Sequence, residues 1–140
     1  MKTVSDIMVR DVICVNESDT VYQARMLMKD RGVRHLPVTD SDSGHYIGVL
    51  TQRGLLNHAF NMVEKFGLSG LQKREKRTQV DEIMSRDCDS VTPDTDLLSA
   101  AEYFTHKKSS CLPVVENHQL RGIITSVDFV KLAAHLLSQG

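Results

Sequence analysis

The chain has 140 residues, 41% hydrophobic and 25% charged, with 17 Lys and Arg against 18 Asp and Glu for a net charge of −1. That size and composition suit a soluble globular protein with one moderate core or two small units, and the near-neutral balance argues against a dedicated nucleic-acid binder, which needs cationic surface to meet phosphates. No apolar run approaches the length that spans a bilayer, and three scattered cysteines (Cys14, Cys88, Cys111) suit a reducing cytoplasm better than a disulfide framework. The opening residues Met1 to Asp6 lack the apolar core of a signal peptide, so no secretory leader is expected.

In chain order, Val12-Ile13-Cys14-Val15 reads as a short apolar strand, and the acid- and hydroxyl-rich Asn16-Glu17-Ser18-Asp19-Thr20 as a helix cap. Val21, Ala24, Leu27, Met28 and Arg31 then mark one face of a helix, with Gly32 at its C-terminal stop. Leu36-Pro37-Val38 and Tyr46-Ile47-Gly48-Val49-Leu50 predict two strands joined by a polar turn. A helix is expected from about Thr51 through Leu55, Leu56, Ala59 and Val63. Glycines and the charged run Lys73-Arg74-Glu75-Lys76-Arg77 mark a linker with a helical extension.

The chain then repeats itself. Val4-Ser5-Asp6-Ile7-Met8-Val9-Arg10-Asp11 is matched by Val80-Asp81-Glu82-Ile83-Met84-Ser85-Arg86-Asp87, and Leu36-Pro37-Val38 by Leu112-Pro113-Val114. Val15 answers Val91, and Ala24 answers Ala100. The first copy is longer around Asp40 to Gly44, and register returns at Gly48 with Gly122 and Thr51 with Thr125. Leu97, Ala100, Ala101 and Phe104 repeat the first helical face; Phe129, Leu132, Ala133 and Leu136 repeat the last. The reading is a tandem duplication of a β-α-β-β-α unit: repeat 1 over residues 1–63, a linker over 64–79, repeat 2 over 80–140. One copy leaves a sheet face uncovered, so the copies are expected to pack together with pseudo-two-fold symmetry and two equivalent clefts.

The stretch Thr125-Ser126-Val127-Asp128, just after Gly122-Ile123-Ile124, carries the chemistry. A strand ends in a hydroxyl residue, and three positions later an acid opens an apolar helical run. Free N–H groups and the positive dipole end suit a phosphate there. The same residues also read as an ordinary capping box.

Asp6-Ile7-Met8, Gly32-Val33-Arg34-His35-Leu36-Pro37-Val38 and Gly48-Val49-Leu50-Thr51 resemble a cystathionine-β-synthase (CBS) domain. Glu82-Ile83-Met84, Ser110-Cys111-Leu112-Pro113-Val114-Val115 and Gly122-Ile123-Ile124-Thr125-Ser126-Val127-Asp128 resemble a second one. The resemblance covers nearly all of the chain outside the linker. It implies an α/β (α+β) Bateman module: a regulatory unit, not an enzyme, whose clefts bind adenosine-containing ligands such as AMP, ADP or ATP, with no required cofactor. It further implies a homodimer, with an unidentified regulated protein as partner; charge and the lack of a long apolar run, not the resemblance, argue against nucleic acid and membrane. Asp128 matches the family's ribose-binding acid, for which two carboxylate oxygens suit a cis-diol. Thr125, with Ser126 and Val127 at the helix start, matches the phosphate end. Arg34 matches an arginine that reaches phosphate in adenylate-binding relatives such as the kinase γ subunits, with His35 alongside. Val33, Ile7 and Ile123 match positions lining the base pocket, for which simple core packing is the competing reading.

The first copy departs from this pattern, because Thr51-Gln52-Arg53-Gly54 has Gly54 where the acid should stand. Its cleft, with Thr51, Arg53, Ile83, Ser109 and Ser110 as candidate lining, is expected to be empty, weaker or different in ligand. A second reading is a ligand-free interaction or dimerisation module with both clefts filled by side chains, and a third gives the basic run Lys73, Arg74, Lys76 and Arg77 to nucleic acid, against a solvated helix. Six histidines without HxxxH or HExxH spacing, and no cysteine pair, give no metal site. Without a Walker A or GxGxxG loop, nucleotide hydrolysis and hydride transfer have no support.

Overall fold

The computed structural model describes residues 2–107, 109 and 111–140. Two compact units divide the chain: Ile13–Cys88 forms one, and Met1–Val12 joins Asp89–Gly140 to form the other. The repeats and the units are therefore different divisions of the same chain.

The unit Ile13–Cys88 contains β1 (Val15–Asn16), α1 (Val21–Arg31), β2 (His35–Thr39), β3 (Tyr46–Thr51), α2 (Gln52–Phe66) and α3 (Leu71–Arg77). β1 lies parallel to β2 and β2 antiparallel to β3, giving the order β1-β2-β3. The first strand is shorter than expected and later in the chain, because only Val15 and Asn16 reach partners on β2, opposite Val38 and Thr39. Helix α1 begins on a capping box: the Thr20 hydroxyl accepts the Gln23 N–H at 3.1 Å, and Gln23 Oε1 accepts the Thr20 N–H at 2.9 Å. It ends on Gly32 at φ 64, the left-handed conformation that glycine adopts without strain. Val15, Val21, Ala24, Met28, Leu36, Val38, Leu50, Leu55 and Val80 form the core. Leu55, on the expected helix from Thr51, belongs to this core.

The linker is helical, and its charged run is not all solvated. Glu75 on α3 is fully buried, and its Oε1 accepts two hydrogen bonds from Arg25 of α1, at 2.9 Å from Nε and 2.5 Å from Nη2. The Arg74 guanidinium stacks 3.6 Å over the Phe66 ring, and the Lys76 ammonium lies 4.9 Å over Tyr22. Two of the four basic residues offered to nucleic acid are thus engaged within the unit.

The other unit contains α4 (Leu97–His106), β4 (Cys111–Glu116), β5 (Gln119–Thr125) and α5 (Ser126–Gln139). Its leading strand shrinks to a parallel bridge between Val91 and Val114, the counterpart of Val15 with Val38. The core is Val4, Met8, Ala100, Leu112, Val114 and Ile124, with Phe104 edge-on to Phe129 at 5.9 Å.

Each unit is completed by the segment that opens the other repeat. The 3-10 turn Val4–Asp6 leads Val4 and Met8 into the core around β4 and β5, while the turn Val80–Glu82 places Val80 in the core around β2 and β3. Val9 exchanges two backbone hydrogen bonds with Ile123, at 2.9 and 3.0 Å. Ser85 does the same with Val49, at 2.8 and 2.9 Å. Val9 matches Ser85 and Ile123 matches Val49, so the exchange repeats with the duplication.

Candidate functional site: the strand-to-helix junctions

At the end of β5, Thr125 leaves the strand with φ −127 and ψ 165, and Ser126 opens α5. Asp128, one turn into the helix, turns its carboxylate back: Oδ2 accepts the Thr125 N–H at 2.8 Å and the Thr125 hydroxyl at 3.3 Å. A carboxylate here also sits on the positive end of the helix dipole. Oδ1 makes no hydrogen bond among the described residues, and Asp128 is partly exposed. The acid is thus held in one orientation by one oxygen while the other remains available as an acceptor.

At the end of β3 the Thr51 hydroxyl accepts the Gly54 N–H at 3.0 Å, and the helix begins without an acid. A Cβ at Gly54 would lie 3.4 Å from Thr51 Oγ1 and 3.9 Å from the Ile83 carbonyl oxygen, ordinary van der Waals distances. Sterics do not exclude a side chain there.

Ile7, Ile123, Thr125, Ser126, Val127, Asp128 and Ser109 belong to the unit Met1–Val12 with Asp89–Gly140. Val33, Arg34, His35, Thr51, Arg53 and Ile83 belong to Ile13–Cys88. Each candidate set from the sequence therefore draws on both units, and Ser110 lies outside the described residues. Ile123 is buried, while Ile7, Val33 and Ile83 pack against the cores of their units. Ser109 is engaged locally: its hydroxyl donates to the Cys111 carbonyl at 3.0 Å. Arg34 is exposed and its carbonyl accepts the Gln52 N–H at 2.9 Å, while His35 pairs with Thr51 across the strands. Burial, aided by the neighbouring Arg34 charge, holds the His35 imidazole below its ordinary pKa. Among the described residues no group of three or more His, Cys, Asp or Glu could hold a metal ion, and no helix is long and apolar enough to cross a membrane.

Comparison with known families decides the lineage, because the CBS domain model matches residues 4–61 and again 80–135. The chain belongs to the CBS-domain family. As a CBS pair it is 34% identical over 137 residues to protein MJ1404 of Methanocaldococcus jannaschii, covering 95% of this chain and 32% of that one. It spans 24% of the homoserine O-acetyltransferases of Methanohalobium evestigatum and Methanosalsum zhilinae, so the CBS pair is a minor share of those enzymes. Among solved structures it resembles a Vibrio cholerae protein named for acetoin utilization (AcuB), with TM-score 0.80 and 33% identity over 99% of this chain and 94% of that one. It equally resembles CBSX2, solved in complex with AMP, with TM-score 0.80 and 29% identity over 97% and 98%.

Sequence reasoning missed the role of the motif glycines in this CBS pair. A Cβ at Gly122 would stand 2.7 Å from the Val9 carbonyl oxygen and 2.8 Å from Met8 Sδ; at Gly48 it would stand 2.5 Å from the Ser85 carbonyl oxygen. At both glycines the exchanged segment passes too close to admit a side chain. The signal was present in the Gly-h-h-Thr pattern (h apolar), but the neighbours that explain it are remote in sequence.

Proposed function

We propose that this chain is a regulatory module that binds an adenosine-containing ligand, AMP, ADP or ATP, at the β5–α5 junction and passes the signal to a partner protein. The observation that carries this reading is the Asp128 carboxylate, fixed through Oδ2 and open through Oδ1 beside a helix N-terminus. The AMP complex of CBSX2, at 29% identity over nearly the whole chain, supports the ligand class. Asp128 takes the ribose hydroxyls, and the free N–H groups of the first turn of α5 favour a phosphate. The Gly54 junction, lacking the acid, binds weakly or not at all. The ligand regulates rather than reacts, and the module works in the cytoplasm.

Isothermal titration with AMP, ADP, ATP, NADH and S-adenosylmethionine, repeated on Asp128→Ala, tests the site. Unchanged affinity in the variant removes Asp128 from the role. A second reading, a ligand-free interaction or homodimerisation module, draws on exposed apolar side chains along the two long helices: Leu56 and Phe60 on α2, and Val130 and Leu137 on α5, with Phe60 69% and Leu137 80% exposed. A flat thermal-shift response to every adenosyl compound favours it.

A further inference from the structure

We propose that Gly122 is a positioning residue for the ligand site: lacking a side chain, it lets the exchanged segment Ile7 to Val9 lie against β5 and wall the Asp128 junction. Ligand affinity then depends on how firmly that segment is clipped. This rests on the reading that Asp128 binds the ligand.

The geometry leaves no slack. A Cβ at Gly122 would reach 2.7 Å from the Val9 carbonyl oxygen, well inside the roughly 3.5 Å at which nonbonded carbon contacts become favourable. The Met8 thioether, 2.8 Å away, can swing aside. The Val9 carbonyl cannot, because it accepts the Ile123 N–H at 3.0 Å while the Val9 N–H donates to Ile123 at 2.9 Å. Any added methyl at Gly122 therefore opens this clip.

The other unit shows what the clip holds in place. There Gly48 seats Ser85 in the same way, and the Ile83 carbonyl oxygen lies 3.9 Å from the Cβ direction of Gly54. Gly54 is the counterpart of Asp128 and Ile83 that of Ile7. By the duplication, the Ile7 backbone comes to the same place beside the acid, and a shift of the segment moves the wall of the site.

The test is the matched pair Gly122→Ala and Gly48→Ala, measured for thermal stability and AMP affinity. Both add the same methyl in equivalent surroundings, so both lose stability by overpacking. AMP affinity is expected to fall about tenfold or more in Gly122→Ala and less than about twofold in Gly48→Ala. Equal losses in the two variants overturn the proposal. Amide hydrogen exchange on the unmodified chain decides the matter even where Gly122→Ala does not fold. At free AMP about one hundred times Kd, the Val9 and Ile123 amides should exchange up to about a hundredfold more slowly, with Val49 and Ser85 unchanged. Equal slowing of both pairs, or none at Val9 and Ile123, overturns it. Failure of the underlying reading looks different: AMP does not bind the unmodified chain, or binds Asp128→Ala equally well.

Discussion

The two strand-to-helix junctions share a threonine N-cap and a seated exchanged segment, and differ most in charge at the third helical residue, Gly54 in one and Asp128 in the other. At β3–α2 the Thr51 hydroxyl alone serves the helix start, through the Gly54 N–H at 3.0 Å. At β5–α5 the Asp128 carboxylate turns back to the Thr125 N–H at 2.8 Å. Helix α2 runs for 15 residues without the acid, and α5 for 14 with it. The fold therefore starts this helix either way. Capping accounts for what Asp128 Oδ2 does, yet gives no reason for this junction to keep a carboxylate while the other does without. The ribose contact proposed for Asp128 would supply that reason.

Stability and ligand binding should respond to different residues. The unit around β2 and β3 carries the Arg25–Glu75 pair. Arg25→Ala would leave the fully buried Glu75 carboxylate without its cation, a loss on the order of 3 kcal/mol. We expect a large fall in the urea midpoint with unchanged AMP affinity per folded molecule. Pairing Arg25→Met with Glu75→Leu should recover most of the stability, because it removes the stranded charge.

Asp128→Ala has the next largest effect. A hydrogen bond to a charged group contributes about 1.5–3 kcal/mol, so AMP affinity should drop by roughly ten- to a hundredfold. Gly54→Asp reverses the comparison. Its Cβ meets only ordinary contacts, and an acid in the first turn should cap the backbone and complement the helix dipole by about 0.5–1 kcal/mol. A rise in melting temperature and a second, weaker AMP equivalent in the titration are the expected outcomes. A stability gain without a second equivalent would show that the acid alone does not make a site.

The smallest effect is pH-dependent and belongs to His35, beside the Thr51 junction. Burial and the Arg34 charge hold its folded-state pKa below the ordinary 6.5. The unfolded chain therefore takes up the proton first. Stability contributed by neutral His35 is complete above pH 6.5 and declines as pH falls from there toward the lowered value. Chemical denaturation between pH 8 and pH 5, roughly the window in which histidine titrates, should show this decline, and His35→Gln should reduce its slope.

Much of this was legible in the sequence, for identifiable reasons. The α1 face of Val21, Ala24 and Met28 and the paired strands around Pro37 and Pro113 are local patterns that appear twice, and the Gly32 stop is a local pattern of the first copy. The exchange of the opening segments was not legible, since Ile7 and Ile83 stand next to their own repeats along the chain and pack with the other's hairpin. Glu75 sits in a run of lysines and arginines, so nothing local separates it from a solvated charge; only the approach of Arg25 from α1 does. Leu55 and Leu56 read alike, and the direction of α2 against its core buries the first and exposes the second. The candidate site was legible at Asp128 because an acid one turn into a helix is a spacing. The role of Gly122 was not, because its physical cause is the Val9 carbonyl oxygen contributed from the start of the chain.

A crystal structure of the chain grown with AMP tests the ribose contact of Asp128 most directly. One ligand per chain is expected at β5–α5, its ribose hydroxyls within about 3 Å of the Asp128 carboxylate, with no nucleotide at β3–α2. A nucleotide at β3–α2 alone, or one at β5–α5 with its ribose turned away from Asp128, would contradict it.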